Sequence, residues 1–187
     1  GLAVGLQLMP GLPGGDRAEA LWSLQTALEL QPDFLRIYPT VVLAGSALET
    51  LFDRGQFEPL SLDEAVGICA EMLWRCRQAA VPVIRLGLQP TRELDGPAGV
   101  VAGPYHPAFG QLVRSHLWRR ALLRVVEETS AQLILVCSSE LSDALGQRRQ
   151  NLEFIRTRRG DFAISGQKDI PRGTLHVGSE SFSLMEL

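Results

Sequence analysis

Gln7, Arg36 and Arg85 each stand alone among apolar neighbours, in the short stretches GLQLM, FLRIY and VIRLG. Alternate side chains of a strand point to opposite faces. Gln7 therefore lies opposite Leu6 and Leu8, Arg36 opposite Leu35 and Ile37, and Arg85 opposite Ile84 and Leu86. Three adjacent parallel strands would project these groups into one interior near their carboxyl ends, where β/α barrels keep their active sites. A guanidinium taken out of water needs an anion or several acceptors. A ligand carboxylate or phosphate meets that need, and so does an acidic side chain in a structural salt bridge. Tyr38 shares the face of Arg36, either to stack or hydrogen-bond there or as a core tyrosine with a satisfied hydroxyl. A second set lies in the non-periodic run from Gln89 to Gly110. There Tyr105 and His106 sit between Pro104 and Pro107. A histidine in a rigid loop suits a proton carrier or a substrate contact, with a solvated or packing role as the alternative. Arg85, Gln89, Tyr105 and His106 form the expected substrate-binding set.

Other chemistries lack their residues. GLPGG has neither the lysine of a Walker loop nor GxGxxG spacing, and neither a serine nucleophile elbow nor an HExxH helix occurs. Cys69, Cys76 and Cys137 form no CxxC pair, and no metal site is expected from them. Cys69 and Cys76 fall two turns apart on one helix face, as buried apolar residues do. Free thiols fit a reducing cytoplasm. Asp63–Glu64 and Glu127–Glu128 read as solvated helix faces, and His116 and His176 carry no supporting pattern.

The elements that position these groups follow from periodicity. Residues 2–9 alternate as a strand and run into the Pro/Gly turn Pro10–Gly15. Asp16 with Glu19 opens a helix to about Leu30, with Leu21, Leu24 and Leu28 as its stripe. Phe34–Tyr38 is the next strand, and Pro39–Ala44 a loop. Ser46 with Glu49 caps a short helix ending at Gly55. Ser61 with Glu64 caps a longer one, with the stripe Ala65, Cys69, Met72, Cys76 and Ala79. Val83–Gly87 is the third strand. Leu112–Thr129 is a helix, Gln132–Cys137 a buried strand, and Ser139 to about Arg158 a helix with a break at Gly146. Phe162–Ser165 and Thr174–Val177 are short strands.

Hydrophobic residues make up 45% and charged residues 21% of the 187-residue chain, ordinary values for a globular protein. No apolar run approaches the ~18 residues that span a bilayer, so no membrane partner is expected. The chain opens at Gly1 directly in a strand pattern, which reads as a fragment of a longer protein. Strand–helix alternation gives an α/β class, with residues 1–112 as one domain and residues 113–187 as a small α/β appendage.

GLQLMPGLPG followed by LRIYPTVVL resembles the late barrel strands of radical S-adenosylmethionine enzymes. The pattern continues through PLSLDEAV, VIRLGLQPT and VVAGPYHPAFGQLVRS. It is similar to the radical-SAM half of the Elongator catalytic-subunit family, and a related pattern occurs in oxygen-independent coproporphyrinogen III oxidase-like proteins. The resemblance implies a partial (β/α) barrel of the radical-SAM type. It implies an enzyme that uses S-adenosylmethionine and a [4Fe–4S] cluster, with tRNA modification as the activity and a coproporphyrinogen oxidase-like reaction as the alternative. It places Gln7 beside S-adenosylmethionine, with Met9, Gly11 and Leu12 on its adenine side and Arg36 and Tyr38 near it. The CxxxCxxC loop that carries the cluster is absent from these residues. The expected partner is therefore a missing N-terminal half, and the fragment alone is expected to hold no cluster and to be inactive. A stand-alone, non-redox binding module is the reading from outside the family.

Charge is unevenly spread. Residues 1–113 carry seven Lys/Arg against twelve Asp/Glu, whereas residues 114–172 carry eleven against seven. Arg148, Arg149, Arg156, Arg158 and Arg159 cluster along and just after one helix. Arginine forks suit phosphate, so the appendage is the expected contact for tRNA. The alternative is a solvated helix with local pairs to Glu153 and Asp161. No RNA-binding-module signature stands out, and aromatics are sparse, so base stacking is not indicated.

Overall fold

The computed structural model of the chain describes residues 1–96, 99–130, 132–184 and 186. Residues 97 and 98 of the Gln89–Gly110 run lie outside the described residues. Two compact units are present, Gly1–Gly110 and Gln111–Leu187, and each is mixed α/β.

The first unit runs β1 (Gly5–Leu8), α1 (Arg17–Glu29), β2 (Phe34–Ile37), β3 (Val42–Leu43), α2 (Ala47–Asp53), α3 (Leu62–Gln78), β4 (Val83–Leu86) and β5 (Val100–Ala102). β1, β2 and β4 form a parallel sheet in that order. Leu35 and Ile37 of β2 are fully buried, as are Leu24 of α1 and Cys69, Met72 and Cys76 of α3. Each aliphatic side chain buried to this degree stabilises the fold by about 1.5–3 kcal/mol. α1 packs on α3, and Glu71 of α3 accepts hydrogen bonds from Arg17 of α1 and, at 2.6 Å, from Arg75. The caps hold as the sequence predicts. Asp16, Ser46 and Ser61 accept from the backbone N–H of Glu19, Glu49 and Glu64. At α3 the box closes, because Glu64 Oε2 accepts the Ser61 N–H at 2.9 Å.

Several expectations are corrected here. β1 is shorter than the alternation of residues 2–9. The register starts at Gly5↔Phe34, so residues 1–4 have no opposing strand. Leu2 is 96% exposed, and Val4 donates its N–H to the Asp33 carboxylate at 2.6 Å. The buried stripe of α1 is Ala20, Leu24 and Ala27 rather than Leu21, Leu24 and Leu28. Small alanines let a helix approach its neighbours closely and shift the line of contact. Ala79 is exposed because it caps the end of α3. Val42 and Leu43 pair antiparallel with β5. Strands of two and three residues are too short to show a period of two, so both loops read as irregular from the sequence.

The second unit holds most of α4 (Phe109–Glu128), then β6 (Leu133–Cys137), α5 (Leu141–Leu145), α6 (Gln150–Arg159), β7 (Ala163–Gln167), β8 (Thr174–Val177) and β9 (Glu180–Ser183). The sheet order is β7-β6-β8-β9, with β6 parallel to β7 and antiparallel to β8. Trp118, Leu122, Ile134, Ile155, Phe162 and Leu175 form its centre. Asn151 is 1% exposed, and its amide donates to the carbonyls of Ser115 (2.9 Å) and Ala144 (3.1 Å). Arg114 pairs with Asp143 at 2.7 Å. These bonds tie α4, α5 and α6 together. β9 escaped the sequence reading because its ESFS pattern is short and mostly polar.

Candidate functional site

The parallel register brings the three polar strand residues into one row. Gln7 is paired with Arg36, and Arg36 with Arg85. A register shift between Leu35 and Arg36 accompanies the pairing with β4. All three side chains are exposed, which corrects the expectation of buried guanidiniums. Among the described residues, none forms a layer over these groups on the face opposite Leu35 and Ile37. Arg36 stands over the Phe34 ring at 5.8 Å. Among the described residues neither Arg36 nor Arg85 has a carboxylate partner. Like charges directly opposite each other on adjacent strands repel.

Beyond β1 the chain turns. Pro10 accepts the Thr40 N–H at 2.9 Å, and Tyr38 donates its own N–H to Leu8. Gly11 has φ +86, and a Cβ there would meet the Leu60 side chain at 2.8 Å. Gly11 is thus buried within the turn, while Met9 and Leu12 are exposed on either side of it. The turn opens onto a cleft of about 290 Å³ lined by Gln7, Met9 and Leu12 from the strand and turn, Glu19 and Ser23 from α1, and Met72 from α3. The Ser23 hydroxyl donates to Glu19 at 2.6 Å. Its apolar walls carry the Gln7 amide on the strand side and the bonded Ser23 hydroxyl and Glu19 carboxylate on the α1 side.

Gln7 is the one predicted residue that belongs to both the row and the cleft. Tyr38 follows β2 and is half-buried, and Gln89 is exposed beyond β4. Tyr105 donates its phenol to Asp95 at 2.7 Å, a bond that pushes the phenol above its ordinary pKa, with smaller contributions from burial and the Asp95 charge. His106 Nδ1 accepts the Ala108 N–H at 3.0 Å, so the neutral ring carries its proton on Nε2. Glu19, Ser23 and Met72 were missed by the sequence reading. Glu19 registers there only as a capping residue and Met72 only as core, and nothing in the sequence shows that α1 and α3 wall the same cleft.

The Radical_SAM C-terminal domain family matches residues 32–119. The chain resembles the radical-SAM proteins of the Elongator catalytic type. Among curated relatives of this radical-SAM-like chain is a tRNA uridine(34) acetyltransferase of Methanocaldococcus jannaschii, 35% identical over 71 residues, which are 36% of this chain and 13% of that protein. The protein of that name from Dehalococcoides mccartyi is 33% identical over 75 residues, 38% of this chain and 16% of the relative. A solved structure, Methanocaldococcus infernus Elp3 with an N-terminal deletion (1–46), superposes with a TM-score of 0.50 at 26% identity. That superposition covers 65% of this chain and 28% of the Elp3 chain. The radical-SAM-like family match reaches from just before β2 into α4, and leaves out the β1 strand and its turn.

Proposed function

We propose that this chain is a wall of a radical-SAM partial (β/α) barrel, holding part of S-adenosylmethionine and orienting it in an enzyme that modifies tRNA. The observation that supports this reading is the row Gln7–Arg36–Arg85, with two guanidiniums side by side that have no carboxylate partner among the described residues, and with Gln7 shared between the row and the cleft. A carboxylate between Arg36 and Arg85 relieves their repulsion through charge-assisted hydrogen bonds. The methionine part of S-adenosylmethionine offers such a carboxylate. The cleft is at the small end of ligand sites and suits the adenosine part. Met9 and Leu12 offer apolar and thioether surface to the base, and Gln7, Glu19 and Ser23 offer donors and acceptors to its polar edges.

Bound S-adenosylmethionine supplies hydrogen-abstracting radical chemistry in proteins of this kind. The residues described here bind and orient it. Among the described residues no group of three or more His, Cys, Asp or Glu could hold a metal. The [4Fe–4S] cluster therefore does not fit these residues, and its ligands belong to a part of the protein outside them. The relatives' names favour tRNA over a porphyrinogen as substrate. On this reading Tyr105, His106 and Gln89 are substrate contacts.

The test is calorimetric binding of S-adenosylmethionine to the protein that carries this chain. Arg36→Ala and Arg85→Ala are each expected to weaken binding about tenfold or more, the loss of a hydrogen bond to a charged group. Arg54→Ala, at the end of α2, is expected to change it less than twofold. Equal effects at all three positions would refute a binding role for the row.

A further inference from the structure

We propose that the turn Gly146–Arg149 in the second unit is a clamp for the backbone of single-stranded RNA. The turn joins α5 to α6 inside a strand–helix–helix–strand unit. The outer strands β6 and β7 are parallel and paired without a break from Leu133↔Ala163 to Cys137↔Gln167. In KH modules a Gly-x-x-Gly turn between two helices clamps the backbone of four nucleotides. Here the turn reads Gly-Gln-Arg-Arg. Gly146 has φ +78, and a Cβ there would lie 3.0 Å from the Asn151 and Gln150 side chains. Arg149 holds the fourth place with φ 62 and ψ 24, the left-handed conformation that glycine adopts at no cost. Arg148 is left-handed too, with φ 51 and ψ 29. The missing second glycine is why no such motif stands out in the sequence.

Two successive non-glycine residues in this conformation store strain, which persists where function requires it. Here the strain presents charge. Both arginines are exposed, and among the described residues neither guanidinium has a partner. Their neighbours are committed to the fold. Arg156 donates to the Phe162 carbonyl at 2.9 Å and to Glu153 at 3.3 Å, and Arg159 donates to the Val126 carbonyl. Arg119 and Arg158 stack on the two sides of the Phe154 ring, each 3.6 Å from its centre. The turn is also braced, because the buried Asn151 amide holds the first turn of α6 to α4 and α5. In the same unit, β7 is the edge of the sheet. α5 packs against β7, and a Cβ on Gly166 would meet Leu141 at 3.2 Å. An edge strand offers unpaired backbone donors and acceptors, here in the unit that also presents two free cations. The turn with its two exposed guanidiniums suits a phosphate chain gripped there.

The choice of RNA rests on the tRNA part of the reading above, and the clamp is independent of the S-adenosylmethionine cleft. The test uses this chain and a labelled twelve-nucleotide single-stranded RNA, with a duplex RNA of the same length for comparison. The single strand is expected to bind more tightly than the duplex. Arg148→Asp/Arg149→Asp is expected to weaken it tenfold or more and to reduce the salt slope by about 1.4, two phosphate contacts on a single strand. Aspartate tolerates left-handed backbone, so the turn should survive. Arg148→Gln/Arg149→Asn, which removes charge without reversing it, should act in the same direction. Arg54→Asp/Arg172→Asp should change affinity less than twofold. No binding, equal duplex binding, or equal loss in the Arg54/Arg172 variant would overturn the clamp. S-adenosylmethionine binding by the same variants should stay unchanged, so a failed clamp leaves the cleft standing.

Discussion

At the scale of single residues, position in the packing decides chemistry more than residue type does. Cys69 and Cys76 lie at 0% exposure in α3. Burial pushes the Cys69 thiol up to about 12 and the Cys76 thiol to about 11, from an ordinary 9.0. Thiols held protonated in this way are structural, not nucleophilic. A folded-state pKa above the unfolded value gives stability that is present below pH 9 and lost as pH rises toward the folded value. Urea unfolding is therefore expected to show stability falling between pH 9 and 11. Cys69→Ala/Cys76→Ala should reduce that fall relative to the parent. An identical alkaline slope in both proteins would show that these thiols do not titrate with unfolding.

At the scale of elements, short backbone signals hold the strands and helices to their lengths. The Ser61–Glu64 box starts α3, and the two bonds from Ser61 keep the Glu64 carboxyl below its ordinary pKa. That contribution is present above the ordinary carboxylate value and is lost as pH falls through the folded one. The end of β4 is set differently. Gly87 donates its N–H to the Ile37 carbonyl and has φ +77. A Cβ there would lie 2.7 Å from Phe109. Gly87→Ala should therefore cost roughly 2–4 kcal/mol, from left-handed strain and overpacking together. Urea midpoints measure it, and Phe109→Gly in the same chain, which removes the Cβ met at 2.7 Å, should recover the overpacking part but not the strain. Full additivity of the two substitutions would rule out the clash.

At the scale of the whole molecule, two units carry different charge. The acidic first unit holds the cleft and the arginine row, while the excess of basic residues falls in the second. No helix among the described residues is long and apolar enough to cross a membrane. The chain spans 13% to 16% of its curated relatives, and its three cysteines, Cys69, Cys76 and Cys137, form no CxxxCxxC loop. Anaerobic iron and sulfide reconstitution of this chain should therefore give no stoichiometric visible absorption of a [4Fe–4S] cluster. Such a spectrum would show that Cys69, Cys76 and Cys137 can be brought together, against the packing that buries each of them.

Local chemistry was legible in the sequence wherever one segment sufficed to specify it. The caps at Asp16, Ser46 and Ser61 need only a side chain and a backbone N–H three residues on. The alternation in FLRIY assigns Leu35 and Ile37 to the core and Arg36 to the other face without reference to any other strand. The stripe through Cys69, Met72 and Cys76 follows from the helical period alone. Tertiary structure decided what those faces meet. Only strand register could set Gln7, Arg36 and Arg85 in one row, and only the absence of a covering layer among the described residues left them exposed. Only the packing of α1 and α3 could bring Glu19, Ser23 and Met72 to one cleft. The left-handed backbone at Arg148 and Arg149 was hidden as well, because side-chain identity predicts right-handed helix there. The bracing of the turn through Asn151 depends on carbonyls from two other helices.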